Sequence, residues 1–240
     1  MLKRFLCALL VLVTVLSVGF AGAEGLRGYD KKAGYVYITM GEYPQTKDGG
    51  ILPILWRVLS VDEEKAYVTS EYILLAHRIH HSDDEWIASN ADLKQTEIWD
   101  YMNNDFLPNS FTEEEQSLVI DDPELGRMFL LSREDLRSKA LGFGSDKARK
   151  AWGTEYALAN GLFKYGTKHG KHSCYWTRTQ SDTAKYGAVC TKAQGNLGYI
   201  RVVVADEGCR PACYLDINAL TITGGTGTKD DPFTIGRKAE

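Results

Sequence analysis

Hydrophobic and polar positions divide the chain into four stretches. The first is an uncharged apolar run, Phe5–Phe20, behind the basic pair Lys3-Arg4 and ahead of Ala21-Gly22-Ala23. A basic start, an apolar middle and small residues at the positions a signal peptidase inspects predict a secretory signal over residues 1–23. The run falls just short of a comfortable bilayer span, which makes a retained anchor the alternative.

Through residues 34–75 the period becomes two. Tyr35-Val36-Tyr37-Ile38 alternates, Pro53–Val61 is a longer apolar run, and Ala66–Ser70 returns after the polar turn Asp62–Lys65, the pattern of a hairpin. Helical spacing follows. Ser89-Asn90-Ala91-Asp92 reads as a capping box ahead of Leu93, Ile98, Trp99, Met102 and Phe106, with Pro108 as the stop. Thr112–Glu115 opens a second helix containing Leu118, and Ser132–Asp135 a third through Leu136 and Ala140. A fourth is expected over 148–160, ended by Gly161. From Ser173 strands return at Cys174–Arg178, Tyr186–Cys190, Tyr199–Val204 and Cys213–Leu215. Strands, then helices, then strands predict an α+β domain over residues 24–221, its sheet closed by both ends of the chain. Residues 222–240, rich in Gly, Thr and Asp, read as a C-terminal tail with room for a short strand at Pro232–Ile235.

Composition narrows the class. Without residues 1–23 there remain 26 basic and 32 acidic side chains, a balance near −6 that argues against nucleic-acid binding. No second apolar run has the length of a span, so a secreted or extracytoplasmic protein that does not engage the membrane after cleavage is expected. Four cysteines remain, Cys174, Cys190, Cys209 and Cys213, and an even set in an exported chain predicts disulfides. On an antiparallel sheet the simplest of three connectivities is nested, Cys174 with Cys213 and Cys190 with Cys209. Free thiols, or a metal site drawing on His169 and His172, are the alternatives.

Gly41-Glu42-Tyr43-Pro44-Gln45, Pro53–Val61, Thr69–Leu74, Phe111–Glu115, Phe129–Ser132, Tyr175–Arg178 and Arg210-Pro211-Ala212 occur in that order. The series resembles a family of bacterial exported domains of unknown function over residues 35–216, a family that looks like a relative of the C-type-lectin-like and formylglycine-generating-enzyme-like folds. The resemblance implies a twisted antiparallel sheet flanked by helices, with a long irregular loop region. Thr179-Gln180-Ser181 departs from the family pattern, and the cysteines look like additions to it.

Trp176, Arg178 and Arg210 sit at signature positions of that family. They read either as a ligand platform, an aromatic face beside bidentate guanidinium groups, or as a core Trp over arginines that hold loop carbonyls. His77, His80, His81, Asp83, Asp84 and Glu85 crowd together without any zinc-protease or EF-hand spacing. They read as a solvated acidic loop, with calcium at Asp83, Asp84 and Glu85 as the sharper alternative. Residues 60–135 carry 19 acids and 5 bases, residues 137–178 carry 2 acids and 9 bases. The second stretch reads as a solvated helical face or as a basic surface beside His169 and His172 suited to an anionic polymer.

No G-x-S-x-G elbow, H-E-x-x-H pair or phosphate loop is present. A secreted, non-catalytic recognition domain without a required cofactor is therefore expected, with a cell-surface carbohydrate or protein as partner. A thiol- or copper-dependent oxidase of the formylglycine-generating type, which needs a close pair of free thiols, and a purely structural surface module are the alternatives.

Overall fold

The computed structural model describes residues 25–239, so the expected signal segment lies outside the described residues. The strands are β1 (Val36–Pro44), β2 (Ile51–Val61), β3 (Lys65–Ser70), β4 (Leu75–Ala76), β5 (Phe129–Leu130), β6 (Ala151–Trp152) and β7 (His172–Ser173). They continue with β8 (Tyr175–Gln180), β9 (Gly187–Thr191), β10 (Leu197–Arg201), β11 (Gly208–Cys209), β12 (Pro211–Asp216), β13 (Leu220–Gly224) and β14 (Phe233–Arg237). Seven form one sheet in the order β13-β14-β1-β2-β3-β12-β5, five a second in the order β10-β9-β8-β11-β4, and β6-β7 a ribbon. With short helices between them this is a mixed α+β fold, mostly sheet.

The expected hairpin is present and extended. β1 pairs antiparallel with β2 from Val36↔Val58 to Pro44↔Ile51, and β2 with β3. The β1–β2 register shifts between Thr39 and Glu42, where Gly41 takes φ +67°. A Cβ on Gly41 would meet the Ser110 carbonyl oxygen at 2.9 Å, so both conformation and space call for glycine. Its freed N–H donates to Glu115 Oε1 at 2.7 Å, while Glu115 Oε2 accepts from the Thr112 amide at 2.9 Å in the capping box of the helix Glu113–Leu118. Two motifs 70 residues apart in the chain are thus halves of one joint.

The segment 222–240 differs from the expected tail. β13 ends in it and β14 lies parallel to β1 at Ile38↔Phe233, with Ile235 buried. The short strand allowed at Pro232–Ile235 is present as β14, and what the sequence did not show is that it covers the edge of β1 and so joins this segment to the sheet.

Helices differ more. Ser89-Asn90-Ala91 forms the left-handed turn that ends a helix, Asp83–Ala88, which buries Trp86 completely. Its start signal was Ser82 followed three residues later by Glu85. Asp92 caps a 3-10 turn, Leu93–Gln95, and after Thr96 a longer helical stretch runs past Pro108 to Ser110. A π turn over Tyr101–Phe106 precedes the proline, and the Leu107 amide reaches back to the Met102 carbonyl, which accommodates a residue without an N–H. The third helix shrinks to the 3-10 turn Asp135–Arg137. The fourth splits into Asp146–Arg149 and Glu155–Ala159 around β6, because Trp152 and Gly153 bond to neighbouring strands instead of to their own turn.

One continuous apolar cluster joins both large sheets. Trp56 and Trp176 lie fully inside it, and half-buried Trp99 packs against it. The Trp56 indole N–H donates to the Met40 carbonyl at 2.8 Å, so its polar edge costs little to bury.

The nested disulfides are not formed. All four thiols are free and buried. The nested scheme needs β12 beside β8. Instead β11 runs parallel to β8, and the chain crosses at Arg210 into the other sheet, where β12 lies between β3 and β5. Cys213 is therefore carried away from Cys174.

Candidate functional site

The two-stranded ribbon buries Ala151 and Ser173 and leaves Trp152 exposed and His172 half-buried. β6 and β7 pair at Ala151↔Ser173 and Trp152↔His172. The ribbon is fixed to the body by Ile73 N–H to the Trp152 carbonyl, 2.8 Å, and Thr154 N–H to the Ile73 carbonyl, 3.0 Å. Trp152 is 50% exposed, whereas Trp56, Trp86 and Trp176 are fully enclosed. Its ring meets His172 edge-on, centroids 5.5 Å apart at 65°, and its indole N–H donates to His172 Nε2. The other imidazole nitrogen, Nδ1, lies 3.0 Å from the His169 carbonyl. Acceptance at Nε2 and donation from Nδ1 define a neutral ring. Burial lowers the His172 pKa, assisted by the charge of Lys150 and by His169, against the bond to the His169 carbonyl.

Beside this pair opens a cleft of about 180 Å³ lined by Glu71, Tyr72, Lys150, Trp152, His172 and Lys229. Its floor is Glu71, 8% exposed, which receives Arg57 Nε at 2.7 Å and Lys229 Nζ at 2.8 Å. Lys229 also stands 5.1 Å from the Tyr72 ring centre. Burial alone would raise the Glu71 pKa. Arg57, Arg210 and Lys229 outweigh it and hold the carboxyl below its ordinary value. One carboxylate thus sits among several cations, and with Lys150 on the wall the cleft is net positive.

The expected platform residues separate. Trp176 is 0% exposed with its N–H on the His77 carbonyl at 2.8 Å, so it has no face left for a ligand. Arg178 donates to the Leu130 carbonyl at 2.5 Å and pairs with Asp135 at 3.3 Å. Arg210 is 1% exposed, gives Nε and Nη2 to the Ser70 carbonyl at 3.0 and 2.7 Å, and lies 5.0 Å from the Tyr175 ring centre. All three bond to backbone carbonyls, the arrangement of the second of the two readings, and Arg178 also to the Asp135 carboxylate. Their types did not distinguish the two roles; only burial does. His172 alone of the expected set lines the cleft, with His169 behind it. Glu71, Tyr72, Lys150, Trp152 and Lys229 were missed.

Asp83, Asp84 and Glu85 do not converge as a calcium site would require. Successive residues on a helix point about 100° apart. Asp83 is paired with Arg201, and Glu85 with His81 at 3.1 Å. His80, His81 and Glu85 place ligand-type atoms within 4.8 Å of one another. The His80 Nδ1, however, accepts from the Ser82 amide at 3.1 Å, which leaves the proton of the neutral ring on Nε2, the nitrogen nearer Glu85. A ligating histidine shows the reverse arrangement.

A family model described as a domain of unknown function, DUF6273, matches residues 125–217. That stretch holds Lys150, Trp152, His172 and Arg210, while Glu71, Tyr72 and Lys229 come from outside it. No curated protein and no solved structure matches the chain.

Proposed function

We propose that the protein is an exported, non-catalytic recognition domain of C-type-lectin-like architecture that binds an anionic carbohydrate of a cell surface. The observation that supports this most is the half-exposed Trp152, braced edge-on by His172 over a net-positive cleft. An aromatic face stacks on the apolar face of a sugar, and the flanking cations suit its acidic substituents. The cleft is smaller than the roughly 300–1,000 Å³ of enclosed small-molecule pockets, which fits one unit of a longer polymer.

The test is retention of the mature chain on immobilised neutral and anionic polysaccharides at two salt concentrations. Retention on the anionic polymers, weakened by salt and reduced about tenfold by Trp152→Ala and by Lys150→Glu, is expected. Retention on none of them, or retention indifferent to both substitutions, would overturn the reading.

A thiol-dependent oxidase is the second reading, because Cys174 and Cys190 are free and neighbouring. Both are fully buried, which disfavours copper capture and direct access by a macromolecular substrate.

A further inference from the structure

Two residues beyond His172, the five-stranded sheet gathers a second set of reactive groups. β8 and β9 pair with Tyr175 opposite Thr191 and Trp176 opposite Cys190. Cys174 and Cys190 are therefore diagonal neighbours on one face, where side chains of adjacent strands meet. Their thiols are close enough to hydrogen-bond. β11 runs alongside, its Gly208 N–H donating to the Cys174 carbonyl at 3.0 Å. A Cβ on Gly208 would come within 2.7 Å of that carbonyl oxygen and 2.4 Å of Ile73 Cγ2, so glycine is what lets β11 approach. That approach sets the preceding residue, Glu207, against Cys174. Glu207 is 4% exposed; its Oε1 accepts from the Tyr165 hydroxyl at 2.9 Å, and its Oε2 has no conventional hydrogen bond.

A buried carboxyl whose second oxygen has no partner but the neighbouring Cys174 thiol is costly, and burial raises its pKa and makes it a stronger proton acceptor than an ordinary carboxylate. An apolar side chain would fill the position at lower cost, so packing does not account for a glutamate beside two thiols. Proton transfer does: such a group is a positioned acceptor.

We propose that Cys174 and Cys190 are a redox-active dithiol that closes to a disulfide, with Glu207 receiving the proton of Cys174. The oxidant is a small disulfide of the glutathione class. Cys190 is enclosed at rest and is reached when the half-exposed edge strand β10 opens locally from β9; there it loses its proton to solvent and attacks one sulfur of that disulfide, forming a mixed disulfide and expelling one thiolate. Cys174 passes its proton to Glu207 and attacks the Cys190 sulfur, expelling the second thiolate. The two thiolates take up the two protons, so two protein thiols become one bridge and one external disulfide becomes two thiols. The roles follow the environments. Hydrogen bonding from Cys174, then the charge of Lys192, lowers the Cys190 pKa against burial, while burial pushes the Cys174 thiol far up. Tyr165, half-buried, is the member of the cluster nearest solvent. None of this depends on what the Trp152 cleft binds.

The experiment incubates the mature chain at graded ratios of oxidised to reduced glutathione, quenches with acid, alkylates in denaturant and maps the peptides. The expected product has two alkylated cysteines, Cys209 and Cys213, and a Cys174–Cys190 bridge. Four alkylated cysteines at every ratio, a bridge that includes Cys209 or Cys213, or a glutathione adduct as the end state would overturn the proposal. Glu207→Gln, checked for folding by near-ultraviolet circular dichroism, is expected to close the bridge about tenfold more slowly near pH 7 and to converge on the wild-type rate at alkaline pH. Should this variant fail to fold, the same convergence is read from Tyr165→Phe, which removes the Glu207 partner. A rate profile that neither substitution alters would overturn the role of Glu207.

Discussion

Trp152 gives its indole N–H to Nε2 of His172, and the same imidazole offers Nδ1 to the His169 carbonyl at 3.0 Å. This single relationship fixes the tautomer of the histidine and the attitude of the exposed indole together. Protonating Nε2 removes the acceptor and frees the ring.

The His172 pKa is lowered from 6.5 in the folded state, so between the folded value and 6.5 the unfolded chain holds more protons. The contribution of this group to stability is present above 6.5 and is lost as pH falls toward the folded value. Tryptophan emission should change below about pH 6.5, the ordinary histidine value, as the indole is released. Trp152→Phe and His172→Gln should each abolish that change; its persistence in both variants would contradict the coupling.

The two kinds of tryptophan should part in mutagenesis. Trp152→Ala, which removes a half-exposed ring and one hydrogen bond to His172, should cost no more than about 1–1.5 kcal/mol. Trp56→Ala, fully buried with its N–H on the Met40 carbonyl, should cost about 3–5 kcal/mol, read from urea unfolding midpoints and slopes.

Gly41→Ala should destabilise by about 1–3 kcal/mol, from left-handed strain and the clash with the Ser110 carbonyl. Glu115→Gln should recover part of that loss in a double-mutant cycle, because the same bulge presents the Gly41 amide to Glu115. Strictly additive effects would show that the joint between the two motifs carries no energy.

Acid should act through Glu71. Its folded pKa is held below the ordinary 4.5, so its contribution is full above that value and disappears as pH falls through the folded one. Urea midpoints of the wild type should drop below about pH 4.5, and Glu71→Gln should flatten that part of the profile while lowering stability at neutral pH. Equal acid sensitivity in both proteins would assign the effect to other carboxyls.

The sequence by itself determined the class of the fold and its β1–β2–β3 start, because alternation over Tyr35–Ile38 and Pro53–Val61 is a local property and a strand buried on one face keeps it. It also determined that Trp176 and Arg210 matter, though not how. Tertiary structure decided the rest. Whether Arg210 faces a ligand or the Ser70 carbonyl depends on burial, which no local pattern encodes. The cleft combines Glu71, Tyr72, Trp152, His172 and Lys229, residues up to 158 positions apart, and only the docking of the ribbon on Ile73 and of Lys229 on Glu71 brings them together. The cysteines show the same limit. Their number and period set the faces they occupy, but which strands become neighbours is settled by the crossing at Arg210, where a parallel partner was as open to the chain as an antiparallel one.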